Sequence, residues 1–362
     1  MFLHSFKIVL PPCSRSQNEI VDWTVEAHRR SQSFSTPDQE AERFLPLLRK
    51  FCVSEKLISR RYYECDEVDS NWDQHRVYRV TEKTPLGSDI HTRNKFFEEK
   101  AGRVFNEFYD QNIIPDHLIH VSCTGYVAPS PPQIYFSCRD KVPAITHAYH
   151  MGCYASLPAV RMAAALAVDQ TVDVVHNEMC SLHLDLSHHT PEQMVVQTLF
   201  GDGHIKYSLS PECRGRGFRV LHIEERLVKN SLEDMSWVPG PHGMLMTLSR
   251  EVPAKIQVGI EAFVKTLCDR ANLEPAKILK ESIFAIHPGG PKIIEAIKAS
   301  LNLSDEQVAS SKKVLFERGN MSSATLPHVW EDVLMKAHPG QRVVSLAFGP
   351  GLTMFGGIFE VV

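Results

Sequence analysis

Residues 149–178 read YHMGCYASLPAVRMAAALAVDQTVDVVHNE, and this stretch decides the fold. The small and almost uncharged residues that follow Gly152 and Cys153 predict a helix extending to residue 167. Residues 171–178 then alternate between apolar and polar side chains, as a strand does. A helix of small residues followed by such a strand indicates an α/β core.

Cys153 stands at the start of the predicted helix. The dipole of a helix favours the thiolate over the thiol near its N-terminus, and the thiolate is the nucleophilic form of cysteine. This placement predicts a reactive side chain. The alternative is a buried, inert cysteine, which is the more common state of a cysteine taken at random.

Composition and charge exclude several classes of protein. The chain has 362 residues, of which 43% are hydrophobic and 23% charged, and its net charge of −4 argues against general nucleic-acid binding. No apolar run reaches the roughly 18 residues that span a bilayer, and residues 1–12 are too short an apolar stretch for a signal peptide. The nine cysteines include no Cys-x-x-Cys pair, so a zinc site is not expected. We therefore expect a soluble, cytoplasmic protein with free thiols and no membrane contact.

The chain divides into two α/β halves, 1–215 and 216–362. Thr36 is expected to cap a helix that begins at Pro37. Further helices are predicted at 92–112, 191–199, 252–271, 291–301 and 304–318, with a tight turn at 200–203. Strands are predicted at 1–10, 117–123, 282–287, 342–348 and 354–362. Because each half carries a polar turn at the end of a strand, one site is expected where the halves meet.

Two further segments supply partners for a cysteine nucleophile. His287 lies in AIHPGGP at 285–291, and Asn320 lies in GNMSSA at 319–324. His287 as an imidazolium would hold Cys153 as the thiolate, and Asn320 offers an amide N–H to an oxyanion. The alternatives are that each is a turn residue or a helix cap. Papain-like proteases also use Cys, His and Asn in this order, but their Cys-Gly-Ser-Cys-Trp signature is absent.

These segments resemble motifs of the chalcone synthase-like type III polyketide synthases. The strings around His287 and Asn320 are similar to the histidine and asparagine motifs of that family. GCYA at 152–155, LFGDG at 199–203 and FGPGLT at 348–353 resemble three more. Five motifs in the same order over about 200 residues make the resemblance specific.

The resemblance implies a thiolase-like α/β fold with five αβαβα layers, built of two similar halves, and a homodimer. It also implies that Cys153 accepts an acyl group as a thioester. A malonyl-type extender then loses carbon dioxide, and His287 and Asn320 stabilise the enolate that attacks the acyl group. No metal or redox cofactor is implied, because phosphopantetheine-linked acyl thioesters on a carrier protein or CoA are the substrates.

The resemblance also indicates residues that bind or enclose the substrate. Phe200 matches one of two gating phenylalanines of the family, and Met246 falls at the other. A flexible thioether there predicts a softer, wider gate and longer acyl chains, and the alternative is a neutral core substitution. Gly349, Pro350 and Gly351 match the loop that shapes the cavity. Glu178 matches a glutamate that anchors the site, or it is a buried structural carboxylate.

The source of the acyl group is a separate question. The basic stretch that would bind CoA phosphates reads RKFCVSEK at 49–56, with its charges in a shifted register. We therefore expect an acidic acyl carrier protein as donor, docked on Arg49, Lys50, Arg60 and Arg61. The alternative is a solvated helix face.

Three alternatives for the function of the protein stay open. In one form of the hypothesis, the enzyme joins two β-ketoacyl chains and closes an α-pyrone. The first rival is a single-step enzyme resembling ketoacyl-carrier-protein synthase III, which shares the fold and the Cys-His-Asn set. The second rival is a non-catalytic scaffold on the same fold.

Overall fold

The computed structural model of the protein describes residues 1–34, 43, 45–65, 67–69, 71–111 and 113–362. The predicted helix start at Thr36 and Pro37 lies outside the described residues.

A mixed sheet of nine strands organises the molecule. In spatial order its strands are β11 (Ile283–Ile286), β12 (Arg342–Gly349), β13 (Thr353–Val361), β8 (Gly217–Leu227), β1 (Phe2–Val9), β7 (Asp202–Ser210), β6 (Val172–Met179), β4 (His117–Ser122) and β5 (Ala144–Tyr149). Two small sheets pair β2 (Cys13–Ser16) with β3 (Arg60–Tyr63) and β9 (Met235–Gly240) with β10 (Gly243–Leu248).

Helices connect the strands and cover them. Within the described residues they are α1 (Gln17–Phe34), α2 (Leu48–Phe51), α3 (Ile90–Phe108), α4 (Pro131–Phe136), α5 (Ser156–Leu166), α6 (Pro191–Leu199), α7 (Val252–Arg270), α8 (Pro275–Glu281), α9 (Pro291–Ser300), α10 (Ala309–Arg318) and α11 (Thr325–Lys336).

The sheet consists of two parts that face each other across helices. Five of its strands precede residue 216 and four follow it, and β1 joins the parts by pairing Phe2 with Arg219, Leu3 with Phe218 and His4 with Gly217. Helix α5 contacts β4, β6 and β7 on one side and β13 on the other, while α11 contacts both β7 and β11. Because α5 and α11 touch both parts, they form the middle layer.

The outer layers complete the five-layer arrangement. Helix α3 covers β1 and β6, and α7 covers β8 and β13 with α9 packed beside it. The α/β fold with αβαβα layers is confirmed. The two parts differ in strand number and share one continuous sheet, and the predicted division at residue 215 falls in the connection between β7 and β8.

The middle layer holds the main hydrophobic core. On α5 the buried side chains are mostly small, and they let the helix approach strands on both sides. Helix α11 adds the fully buried Trp330, whose indole N–H donates to Ser345 Oγ at 2.8 Å. The segments that precede the two helices meet between the two parts of the sheet, where Cys153 Sγ lies 4.0 Å from Ser322 Oγ.

Two local predictions are wrong. The helix predicted from residue 304 begins at Ala309. Gln307 does not join the helix, because its side-chain amide donates to the carbonyl oxygens of Leu279 and Ser282 and its backbone carbonyl oxygen accepts from Phe284 N. The turn predicted at 200–203 is absent, since β7 begins at Asp202.

Candidate active site

Cys153 lies in the connection from β5 to α5, three residues before the first helical residue. The chain reaches it through Gly152, whose φ of 85° favours glycine. A Cβ on Gly152 would stand 2.5 Å from Pro350 Cδ. The N–H of Gly152 donates to Cys123 Sγ at 3.0 Å. These constraints fix Cys153, of which 8% is exposed, close to the N-terminus of α5.

Asn320 reaches the same point from the other half of the chain. Its Oδ1 accepts hydrogen bonds from Ser322 N at 2.9 Å and Thr325 Oγ1 at 3.2 Å. Since Oδ1 is occupied, Nδ2 is the group turned towards Cys153, at 4.0 Å from Sγ. The amide is therefore placed to donate to an oxygen of a group carried by the sulfur.

Gly319 makes this placement of Asn320 possible. Its φ is 72°, and a Cβ would stand 2.8 Å from the carbonyl oxygen of Leu199. The next residues pair with the end of α6: Asn320 N donates to Leu199 O at 3.0 Å, and Gly201 N donates to Asn320 O at 2.8 Å. A side chain at residue 319 would push these two segments apart.

His287 follows β11 directly. Its backbone N–H donates to Leu346 O at 2.7 Å, which continues the pairing of β11 with β12. The side chain is 1% exposed, and neither ring nitrogen has a hydrogen-bond partner among the described residues. Both nitrogens are thus available to a substrate or to Cys153.

One cavity unites the three side chains. It has a volume of about 560 Å³, and Cys153, His287 and Asn320 all contribute to its wall. The exposed cations Lys50, Arg250 and Lys292 line its outer part. The structure therefore brings the three predicted residues together at the inner end of a cavity with a basic mouth.

Burial favours the uncharged forms of the two titratable groups. Burial raises the pKa of the Cys153 thiol to about 12, the charge of Glu178 adds to this, and hydrogen bonds from Ser322 and Asn320 oppose it. Burial lowers the pKa of His287 to about 3. Burial therefore opposes the thiolate, and the expectation that the helix dipole favours it stays a prediction. A thiolate at Cys153 therefore needs a neighbouring positive charge, and His287 is the imidazole on the same cavity.

Glu178 lies behind the cavity wall. It is fully buried on β6, and its carboxylate accepts from Cys123 N at 3.0 Å, from Thr124 Oγ1 at 2.8 Å and from Ser323 Oγ. Burial raises the pKa of this carboxyl to about 6, although those hydrogen bonds lower it. Glu178 ties the turn after β4 to the Asn320 segment, and its role as an anchor stays a prediction.

The predicted gate residues lie beside Cys153. Phe200 and Met246 line a small pocket of about 30 Å³ that also touches Cys153 and Pro350. Met246 lines the large cavity as well. Gly349 packs against Tyr154, where a Cβ would stand 1.9 Å from the ring, and Gly351 lies beside Leu227. Neither glycine lines the pocket or the large cavity.

Comparison with known proteins places the chain in a family. Residues 226–362 match the family of chalcone and stilbene synthases, C-terminal domain. The chain is 30% identical to the alpha-pyrone synthesis polyketide synthase-like Pks18 of Mycobacterium tuberculosis, over 68% of this chain and 65% of that protein. It is 29% identical to a putative chalcone synthase of Bacillus subtilis, over 68% of this chain and 72% of that protein. The chain belongs to the type III polyketide synthase family.

Solved structures of the family share the whole fold. The C-terminal type III polyketide synthase domain of Steely1, a type I/III hybrid from Dictyostelium, is 26% identical, with a TM-score of 0.81 over 99% of this chain and 98% of that one. The tetrahydroxynaphthalene synthase of Streptomyces coelicolor, at 20% identity, shows the fold with a TM-score of 0.79 over 99% of both chains. The predicted family and thiolase-like fold are confirmed.

The chain matches only part of some relatives. The probable polyketide synthase 1 of Dictyostelium discoideum is 32% identical over 66% of this chain, but the match spans 8% of that protein. The match spans about two thirds of Pks18.

The basic rim of this type III polyketide synthase differs from the predicted one. Arg61 is 1% exposed and cannot meet a carrier protein, and Arg49 pairs with Asp22. Lys50 lines the cavity, and its contact with a carrier protein stays a prediction. Arg250 and Lys292 were missed, because single cations outside a basic run give no signal in the sequence. The position of Lys292 two residues after the HPGG string was the one available clue.

The described residues contain neither a metal-binding cluster nor a membrane-spanning helix. Among the described residues, no group of three His, Cys, Asp or Glu side chains is placed to hold a metal ion. Within the same residues, no helix has the length and apolar character needed to cross a membrane. That the chemistry requires no metal or redox cofactor stays a prediction.

Proposed function

We propose that the protein catalyses decarboxylative Claisen condensation of acyl thioesters to make a polyketide, through an acyl group on Cys153. The observation that carries the proposal is the convergence of three side chains on one cavity. Cys153 and His287 share its wall, and Asn320 turns its amide towards the sulfur at 4.0 Å. A nucleophile, a base and an oxyanion donor are the components that acyl transfer requires.

The first step loads the enzyme. The Cys153 proton passes to His287, and the sulfur attacks the thioester carbonyl of the donor. The bond between that carbonyl and the carrier sulfur breaks, and the carrier thiol leaves with the proton from His287. Proton transfer between these two groups offsets the cost of charging each one alone in a buried site.

The second step forms the carbon–carbon bond. A malonyl-type thioester loses carbon dioxide, and the electron pair of the broken bond becomes an enolate. Asn320 Nδ2 and a ring N–H of His287 donate to the enolate oxygen. The enolate carbon then attacks the acyl carbonyl on Cys153, and the thiolate leaves.

The mouth of the cavity is suited to a phosphate-bearing donor. Lys50, Arg250 and Lys292 are exposed there, and none has an ion-pair partner within the part of the chain that the structure describes. A phosphopantetheine arm that reaches Cys153 would leave its phosphate near these cations. The donor is an acyl carrier protein, whose acidic surface would add contacts outside the mouth. Equal kcat/KM for matched acyl-CoA and acyl-carrier-protein substrates would reject the carrier protein as the donor.

The protein acts as a homodimer in this proposal. Strand β5 is at the edge of the large sheet, and the side chains of Ala144 and His147 on it are exposed. An exposed edge strand is a ready surface for pairing with a second chain. Light scattering coupled to size-exclusion chromatography tests this, and a monomer mass at micromolar concentration would contradict it.

Intact-protein mass spectrometry tests the proposed reaction. After incubation with acyl donors, we expect an acyl adduct on the wild-type protein and none on Cys153→Ala. Cys52→Ala is the matched control, because Cys52 lines the same cavity and should leave the adduct intact. No adduct with any donor would favour a scaffold on this fold.

Product analysis separates the remaining alternatives. Release of a single β-ketoacyl product would favour the single-step reaction of a ketoacyl-carrier-protein synthase III-like enzyme. A pyrone made from two β-ketoacyl chains is the product expected for the α-pyrone form of the proposal, which the relationship to Pks18 supports.

A further inference from the structure

A second cavity, which we call the inner chamber, lies behind the gate residues. It has a volume of about 60 Å³, and α1, β3 and the segment after β6 form much of its wall. Four side chains line both the inner chamber and the pocket at Cys153: Cys180, Phe200, Trp237 and Met246. The inner chamber is therefore separated from the reaction site by one layer of side chains.

Three side chains that line the inner chamber each carry a buried polar atom without a hydrogen-bond partner among the described residues. Arg61 Nη2, Trp23 Nε1 and Thr24 Oγ1 have no hydrogen-bond partner in the described portion of the chain. Arg61 and Thr24 are at most 1% exposed. Two of the three are obligate donors and the third donates or accepts.

Arg61 is held so that one nitrogen is left over. Its Nε donates to Gln17 Oε1 at 2.9 Å, and its Nη1 donates to the carbonyl oxygens of Gln197 at 3.1 Å and Phe200 at 2.6 Å. These bonds fix the guanidinium plane against the backbone of the gate. Nη2 remains as a donor without an acceptor among the described residues, on a side chain that lines the chamber.

Two side-chain acceptors around the inner chamber, on Glu67 and Gln197, are already in use. The carboxylate of Glu67, which also lines it, accepts from the backbone N–H groups of Arg76, Val77 and Tyr78. The side-chain oxygen of Gln197 lies 2.7 Å from His28 Nε2. These two side chains therefore do not accept from Arg61 Nη2 or Trp23 Nε1, and an oxygen atom is the group that would satisfy these donors.

We propose that the inner chamber binds the oxygen-bearing distal end of an acyl chain, through Arg61 Nη2, Trp23 Nε1 and Thr24 Oγ1. A ketone, hydroxyl or carboxylate oxygen satisfies these groups. An alkyl end leaves them unpaired in a buried site, which disfavours it. This inference rests on the proposed function, because the chain that enters is the one attached to Cys153 or about to be.

The size and the wall of the inner chamber suit such a group. Its volume is several times the roughly 10–15 Å³ that one water molecule needs, so a small polar group fits. Of the dividing side chains, Met246 is the unbranched thioether and changes rotamer most readily. Phe200 is tied through its carbonyl to Arg61. Entry therefore proceeds by movement of Met246.

Paired donors test the proposal. Hexanoyl, octanoyl and decanoyl groups on an acyl carrier protein are each compared with the partner that carries one terminal hydroxyl, by the rate of Cys153 acylation. At the chain length that reaches the inner chamber, we expect the oxygenated donor to be preferred about tenfold. Thr24→Val and Trp23→Phe should each bring the ratio towards one. Thr247→Val, an exposed threonine on β10, should leave the ratio unchanged.

A second measurement separates this proposal from the proposed function. Binding of the same donor pairs to Cys153→Ala, measured by calorimetry, needs no acylation. If the oxygenated donor binds preferentially but the wild type is not acylated, the proposed function is overturned and the inference about the inner chamber stands. Equal rates and equal binding at every chain length, or a preference that survives both Thr24→Val and Trp23→Phe, would mean that the chamber holds water only and would overturn the inference.

Discussion

At the scale of single residues, the chemistry of the site depends on whether Cys153 and His287 can become charged where they are buried. Desolvation opposes both a thiolate at Cys153 and an imidazolium at His287. Transfer of a proton from Cys153 to His287 forms the thiolate and the imidazolium together, so neither buried charge is left without a partner. The reactivity of the cysteine should therefore depend on the histidine.

His287→Gln tests this dependence. Without the imidazole, the group that accepts the Cys153 proton is lost, and burial raises the pKa of the thiol, so Cys153 stays protonated at neutral pH. We expect alkylation of Cys153 by iodoacetamide at pH 7 to slow at least about tenfold and to rise only at alkaline pH. Peptide mapping provides an internal control in the exposed Cys138, whose rate should not change. An unaltered pH profile for Cys153 would show that His287 does not support the thiolate.

Asn320→Ala tests the oxyanion donor. The variant removes the amide N–H that is turned towards the sulfur at 4.0 Å. We expect kcat for condensation to fall by about 100- to 1000-fold, the usual cost of losing one such donor. The loss should appear in steady-state kinetics with saturating extender. A fall of less than about threefold would assign Asn320 to a structural role.

At the scale of elements, the backbone around Asn320 is specialised. Gly319 combines a φ of 72° with a close approach to the carbonyl oxygen of Leu199, whereas Gly340 has a φ of 85° and open space around it. Substitution of the two glycines therefore distinguishes the effect of backbone strain from the effect of steric contact.

Gly319→Ala and Gly340→Ala form a matched pair. Gly340→Ala should lower the free energy of unfolding by about 1–2 kcal/mol, the cost of a left-handed conformation. Gly319→Ala should cost more and should also reduce kcat, because the added Cβ pushes Asn320 away from α6. Urea denaturation and steady-state kinetics measure the two effects. Equal destabilisation with full activity in both would contradict the role given to the Leu199 contact.

The same scale shows what the sequence predicts well. Helix α6 begins at Pro191 and ends at Leu199 as predicted, because Thr190 caps it and the signals are local. The burial of Arg61 could not be predicted, since it depends on Gln17 and Gln197 from distant segments. Arg250 and Lys292 meet at the mouth only through the fold. The motif residues of the site were recognisable, whereas the residues that enclose the inner chamber were not.

At the scale of the whole molecule, a buried carboxylate links the two halves. Glu178 on β6 accepts from Ser323, which belongs to the Asn320 segment of the other half. Its pKa is raised from 4.5 to about 6 by burial. A raised pKa means that the folded state favours the protonated form, and that this preference is lost as the pH rises through 6.

The pH dependence of stability tests this link. Between about pH 3.5 and 7, ionisation of Glu178 should lower the free energy of unfolding by about 2 kcal/mol in total, because burial raises its pKa from 4.5 to about 6. Glu178→Gln has no charge to form, so its stability should change less over the same range. Urea titrations at several pH values measure the difference between the two proteins. Parallel curves would show that the pKa of Glu178 is the same in the folded and the unfolded state, and would contradict the raised pKa.

The attachment of the two gate residues differs, and this bears on how the family can diversify. Phe200 lies in the segment that pairs with Asn320, so a change of shape there disturbs the catalytic amide directly. Met246 lies on the hairpin of β9 and β10, which forms a sheet of its own. Selection for new products should therefore act mainly at residue 246, where substitutions alter the space offered to a chain at the least cost to the chemistry.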